Sequence, residues 1–123
     1  MKKLLLIVAI LTFSLGFAQT EKANYKTVVS EFQTNYNEGN YQEIYNMFNA
    51  NLQKTLTLEK TKSFFKTNVK AEALGNITAV DLKEIIRTGH NYKFTFENGA
   101  GEAYFLLDDN NKISGLQMYP IQE

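Results

Sequence analysis

The 123-residue sequence contains no cysteine, no tryptophan, one proline and one histidine. The absence of cysteine excludes a disulfide scaffold, a thiolate metal site and a cysteine nucleophile. With one imidazole and no thiol, we expect no metal site and no other cofactor. An excess of charge of one sign is also missing, because 13 basic residues balance 13 acidic ones. We therefore expect no nucleic-acid partner, since such binding needs a clustered basic face.

What the sequence does contain is a large apolar fraction, 44%, including 13% aromatic residues. This composition excludes an intrinsically disordered chain. The length predicts a single domain, since domains usually run to roughly 100–200 residues. Because no disulfide is available, we expect packing of the apolar residues to supply the stability.

The N-terminus has the order of residues found in a cleavable secretory signal peptide. Lys2 and Lys3 precede an apolar run over residues 4–13, and the small residues Gly16 and Ala18 follow it. This order predicts cleavage after Ala18. The alternative is an uncleaved anchor, but the run is short compared with the roughly 20 residues of a membrane span.

These features divide the chain into three parts. We predict a signal peptide over residues 1–18, a frayed terminus over 19–24 and a single domain over 25–120. The mature protein is expected to be exported, either periplasmic or secreted, with no membrane span after cleavage.

Apolar residues recur with a helical period through the first half of the predicted domain. The spacing predicts a helix from Tyr25 that ends before Gly39, and a second helix capped by Asn40. A short helical turn near Leu52 and a third helix from Thr57 to just before Gly75 complete this half. The residues that define the three faces are Tyr25, Val28, Val29, Phe32 and Tyr36, then Tyr41, Ile44, Tyr45 and Phe48, then Leu58, Thr61, Phe65 and Val69.

The period changes to two after Gly75, which predicts four strands. We expect them over residues 77–86, 92–97, 102–107 and 112–119, with a bulge near Glu84 and turns over 88–91, 98–101 and 108–111. Such short turns require antiparallel neighbours. The predicted fold class is α+β, with N-terminal helices packed on a curved four-stranded antiparallel sheet.

Several segments together resemble a known family. They are residues 35–48 (NYNEGNYQEIYNMF), 61–65 (TKSFF), 75–77 (GNI) and 108–116 (DDNNKISGL). In this order the chain resembles domain-of-unknown-function family 3887, which is similar to the nuclear-transport-factor-2-like or cystatin-like cone fold. The resemblance implies an exported bacterial protein with a curved sheet against helices and often a pocket, and it supplies no catalytic residues.

Candidate chemistry rests on few side chains. Asp81 and Glu97 are the strand carboxylates that proton transfer would use if they were buried in a pocket. Periodicity leaves open whether Asp81 faces such a pocket or solvent. His90 follows Gly89 in a predicted turn, where we expect it to be solvated. Ser63 and Lys66 spell S-x-x-K, but the partner motifs of serine β-lactamases are missing, so we interpret them as polar helix residues.

The aromatic residues predict a different use of the interior. Apolar walls with a few hydroxyl groups are typical of small-molecule sites. We therefore predict a non-catalytic binding or accessory module for a small apolar ligand, a cell-wall fragment or an extracytoplasmic protein partner. The predicted ligand-binding residues are Tyr41, Tyr45, Phe48, Tyr92, Phe94 and Phe96. The alternatives are a small pocket enzyme that uses Asp81 or Glu97, and a homodimer that pairs through Lys93, Thr95 and Glu97 on the sheet.

Overall fold

Six helical segments precede the sheet in a computed structural model that describes residues 20–121. The long first helix carries the predicted apolar face, and Tyr25, Val28, Val29, Phe32 and Tyr36 are all buried, as expected. The segments are α1 (Ala23–Asn37), α2 (Tyr41–Asn46), α3 (Ala50–Thr55), α4 (Leu58–Ser63), a π-helix (Phe64–Val69) and α5 (Ala71–Leu74). Ala23 and Asn24, which the sequence placed in a frayed terminus, are the first two residues of α1.

The helix boundaries predicted from polar residues are confirmed. Gly39 has a φ of +69° after α1, which is the left-handed conformation that favours glycine. The Asn40 side chain accepts a hydrogen bond from the Glu43 N–H, and Thr57 accepts one from the Lys60 N–H. These caps fix where α2 and α4 begin, because they satisfy backbone donors that have no partner within the helix.

The third predicted helix is wrong as a single element. The α-helical part ends at Ser63, and a π-helix continues from Phe64 to Val69. Lys70 then takes a left-handed conformation, with φ 59° and ψ 54°, before α5 begins. The apolar period cannot reveal this break, because a wider helical turn shifts side chains by only one position.

The second half forms a four-stranded antiparallel sheet in the order β1-β2-β3-β4, which is not closed into a barrel. Its strands are β1 (Ile77–Ile86), β2 (Gly89–Phe96), β3 (Gly99–Leu107) and β4 (Ile113–Pro120). The predicted α+β class is confirmed. The register shifts between Leu82 and Glu84, next to the predicted bulge. The likeness to the nuclear-transport-factor-2-like cone stays a prediction.

Two predicted turns lie in the wrong place. Ile86 pairs with Gly89 and Phe96 pairs with Gly99, so two-residue turns join these strands. The predicted turns over 88–91 and 98–101 are therefore mostly strand. Glycine is a strong turn signal, but here the glycines occupy the first positions of β2 and β3, where close packing from other elements needs a small residue.

The hydrophobic core lies between the helices and one face of the sheet. Tyr92, Phe94 and Phe96 point into it from β2, as their alternation predicted. Phe32 of α1 lies against this cluster, with its ring 5.1 Å from the ring of Phe105 in an edge-to-face contact. The opposite sheet face is polar, since the cross-strand row Asp81, Lys93 and Glu102 lies there. One layer of helices thus covers one side of the sheet.

Candidate functional site

A cleft of about 370 Å³ lies between the segment Phe64–Leu74 and the end of the sheet where β2 and β4 finish. Helical residues form one wall and sheet residues form the other. The large apolar side chains that line it are Phe64, Val69, Leu74, Phe94, Phe96 and Met118. We refer to this space as the cleft.

The π-helix shapes the helical wall of the cleft. It separates two adjacent phenylalanines: Phe65 is fully buried in the core and stacks on Tyr41, with ring centroids 4.9 Å apart. Phe64 is half-buried and lines the cleft. Segments of π-helix are rare and occur often at functional sites.

The sheet wall of the cleft contains small residues of β3 that pack closely against other elements. A Cβ atom on Gly101 would lie 2.8 Å from the Tyr119 carbonyl oxygen and 3.6 Å from the Phe96 ring. A Cβ atom on Gly99 would lie 2.8 Å from a methyl group of Leu74. The Gly99-Ala100-Gly101 sequence therefore lets α5 and β4 approach β3 closely.

The charged residues that line the cleft are Lys70 and Glu102, and the carboxylate of Glu102 lies with Lys83 on the polar sheet face. The Glu102 carboxylate is already bound: Oε2 accepts from Lys83 Nζ and Oε1 accepts from Asn91 Nδ2, both at 2.7 Å. The hydrogen bond from Lys83, followed by that from Asn91, holds the pKa of Glu102 below its usual value. Lys70 is exposed and makes no ion pair within the described residues.

Residues 29–116 match the family model described as a protein of unknown function, DUF3887. The chain belongs to this family. The matched range runs from α1 into β4 and includes most of the cleft, while Met118, Tyr119 and Pro120 lie beyond it. No curated protein and no solved structure matches the chain.

The structure of this DUF3887 protein does not bring the six predicted ligand-binding residues into one cavity. Phe94 and Phe96 line the cleft. Tyr92 and Phe48 are buried in the core, and Phe48 also borders a polar groove beside α3. Tyr41 packs on Phe65, and Tyr45 packs edge-to-face on Phe48. Periodicity identified interior aromatics but not which of them border open space.

Tyr36 and Tyr41 are held as neutral phenols. Burial raises the pKa of Tyr36 to about 12, and the Tyr36 hydroxyl donates to the Gly75 carbonyl at 3.1 Å. Burial also raises the pKa of Tyr41, with a smaller contribution from the Glu72 carboxylate. The Tyr36 hydroxyl thus makes a structural hydrogen bond, and the Tyr41 ring packs on Phe65.

The two candidate carboxylates, Asp81 and Glu97, are exposed. Asp81 lies opposite Lys93 on the polar sheet face. Glu97 lies in the turn after β2, where its Oε1 accepts from the Asn76 N–H at 2.7 Å. Neither lines the cleft, so the structure does not place either carboxylate where a ligand in the cleft would meet it.

His90, expected in a solvated turn, is fully buried in β2. Its ring stacks on Tyr25, with centroids 3.8 Å apart, and its Nε2 accepts from the Lys22 N–H at 3.2 Å. The proton is therefore on Nδ1, which is buried near the backbone of Thr88 and Gly89 but makes no well-formed hydrogen bond to another described residue. Burial lowers the pKa of His90, and the backbone of Thr88 and the Glu21 carboxylate oppose this effect only in part.

Sequence reasoning missed the helical wall of the cleft, namely Phe64, Val69 and Leu74. Val69 was assigned to the apolar face of the third predicted helix, whereas Phe64 and Leu74 were not assigned to it. The available signal was the run of three small residues at 99–101, which indicates a close approach of other elements rather than a turn.

Within residues 20–121, no group of three or more His, Cys, Asp or Glu residues is arranged to hold a metal ion. No helix in this part of the chain has the length and apolar character to cross a membrane. The predicted signal peptide, residues 1–18, lies outside the described residues.

Proposed function

We propose that this protein is a non-catalytic binding protein that holds a small apolar ligand in the cleft. The observation that carries the proposal is the cleft itself, about 370 Å³ with six large apolar side chains on its walls. Small-molecule sites usually have volumes of about 300–1,000 Å³, apolar walls and a few polar groups.

The driving force is the removal of apolar surface from water, worth about 25 cal/mol per Å². The residues that line the cleft do not favour a catalytic reaction there. Glu102 is the acidic residue among those that line it, but its carboxylate lies on the polar sheet face, accepts from Lys83 and Asn91 and has a lowered pKa, so it is a poor general base.

A neutral fluorescent probe tests the proposal. We expect Nile red to bind the purified mature protein, with a blue-shifted and stronger emission. Ala73→Trp should weaken this binding by about tenfold or more, because Ala73 is exposed on α5 and lines the cleft, where an indole ring would fill it. The readout is a fluorescence titration of each variant.

The matched control is Ala50→Trp, which places the same side chain at an exposed position at the start of α3, away from the cleft. This variant should bind Nile red as the unmodified protein does. Equal binding by the Ala73 and Ala50 variants, or no binding by the unmodified protein, would contradict the proposal.

Export is a second part of the proposal, and the lysine, apolar and small-residue order of residues 2–18 supports it. Expressed in a bacterial host, the protein should be recovered outside the cytoplasm with Gln19 as its first residue. Intact-mass measurement of the recovered protein checks this, and an N-terminus that still carries Lys2 and Lys3 would count against cleavage.

A further inference from the structure

The charges around the cleft are not balanced. Glu102 is neutralised by Lys83 on the polar sheet face, with 2.7 Å between the charged atoms. Glu72 does not line the cleft, and its charge acts on Tyr41 instead. The Lys70 ammonium is left as the rim charge without an opposite partner among the described residues.

The backbone at Lys70 is also unusual. Its φ of 59° is left-handed, a conformation that glycine, asparagine or aspartate adopts more readily than a lysine. Lys70 separates the π-helix from α5 and lines the cleft at this junction. Strained conformations of this kind cluster at ligand-binding positions.

Two amide side chains accompany Lys70 on the rim. Asn68 is exposed on the last turn of the π-helix, and its amide makes no hydrogen bond to any residue between positions 20 and 121. Asn98 donates to the Ala73 carbonyl at 3.1 Å, which holds the β2–β3 turn against α5. The rim therefore offers one ammonium and one unengaged amide N–H group beside apolar walls.

We propose that the ligand is an amphiphile with a singly charged anionic head group, such as a carboxylate. Its apolar chain lies in the cleft, and its head group meets Lys70 and the Asn68 amide at the rim. One ammonium suits a single negative charge, and an added hydrogen bond to a charged group strengthens the contact. This inference rests on the proposed function, since it assigns a chemical class to the ligand of the same cleft.

The experiment compares three amphiphiles with the same ten-carbon chain: decanoate, decanol and decyltrimethylammonium. The affinity of each amphiphile is measured by its displacement of Nile red from the purified mature protein. The titrations are run at low ionic strength, where surface charges are least screened. We expect decanoate to bind about tenfold more tightly than decanol, and the cationic amphiphile to bind most weakly. The preference for decanoate should shrink as salt is added.

Variants at Lys70 assign the preference to one group. Lys70→Gln should bring decanoate to the affinity of decanol, and Lys70→Glu should favour the cationic amphiphile. Lys70→Arg should keep the preference. Lys66→Gln is the matched control, because Lys66 is exposed on the π-helix that precedes Lys70 but does not line the cleft. Melting curves of all four variants confirm that each is folded.

The outcomes separate the two proposals. If decanol and decanoate bind equally, the anionic head group is wrong while the apolar ligand stands. If Lys70→Gln leaves the preference for decanoate intact, the assignment of the head group to Lys70 is wrong. If neither Nile red nor any amphiphile binds, both proposals fail. A decyl phosphate that binds far more tightly than decanoate would overturn the assignment of a singly charged head group.

Discussion

Replacing Phe32 with alanine is expected to lower the free energy of unfolding by about 3–5 kcal/mol. Phe32 is fully buried, and its ring lies within 6.0 Å of the rings of Phe65, Phe94 and Phe105. These contacts join α1 to the π-helix and to two strands, so truncation removes apolar burial and leaves a cavity at the junction of both layers. Urea denaturation followed by circular dichroism measures the loss.

The control for this prediction is Phe64→Ala, the same chemical change at a half-buried residue. Phe64 already borders open space in the cleft, so its removal creates less new cavity and should cost clearly less. Equal losses for the two variants, or a loss under about 1 kcal/mol at Phe32, would show that the core is not centred on Phe32.

Stability should also fall as the pH drops below about 6.5, because burial lowers the pKa of His90 from that usual value. A group with a depressed folded pKa resists protonation in the native state. Its neutral form therefore contributes fully above pH 6.5, and this contribution is lost as the pH falls toward the folded pKa. A single group of this kind gives a slope of at most about 1.4 kcal/mol per pH unit.

The groups that face His90 explain why protonation is unfavourable. Nε2 already accepts from the Lys22 N–H, so a second proton would break that bond. Tyr25 covers one face of the ring, and the hydroxyl of the neighbouring Tyr92 donates to Glu21 at 2.6 Å. Burial, and secondarily the hydrogen bond to Glu21, raises the pKa of Tyr92, so this phenol stays neutral. The Glu21 carboxylate favours the imidazolium, but burial outweighs it.

Urea unfolding between pH 7.5 and 4.5 measures this dependence. His90→Gln removes the titrating group, and we expect a less stable protein with a flatter profile in this range. The lowered pKa values of Asp108 and Glu102 act in a different window, since those carboxylates lose their contribution only as the pH falls below about 4.5. An NMR titration that places the imidazole pKa at or above 6.5 would refute the prediction.

Local sequence was sufficient for the faces of the long elements. The buried face of α1 and the inward row Tyr92, Phe94 and Phe96 followed from period alone, because each element repeats its own geometry along the chain. The caps at Asn40 and Thr57 were also predictable, since a capping side chain acts within three residues of itself.

The candidate site was predictable only in part. Phe94 and Phe96 were identified as interior residues, but the interior aromatics that border open space could not be told from those that fill the core. That distinction depends on the π-helix and on the close contacts that α5 and β4 make with Gly99 and Gly101 of β3. From the sequence, these glycines predicted a turn over residues 98–101 instead.

The sequence by itself determined the class of the fold, the order of helices before strands and the side of each long element that is buried. Only the tertiary structure decided that His90 is buried and that a cleft opens beside Phe64 and Leu74. The physical reason is distance along the chain: Lys22 and Tyr25 cover a ring more than sixty positions away. Periodicity indicates the local secondary structure and the face on which a residue lies. Whether that residue is buried or borders open space depends on which distant segment packs against it.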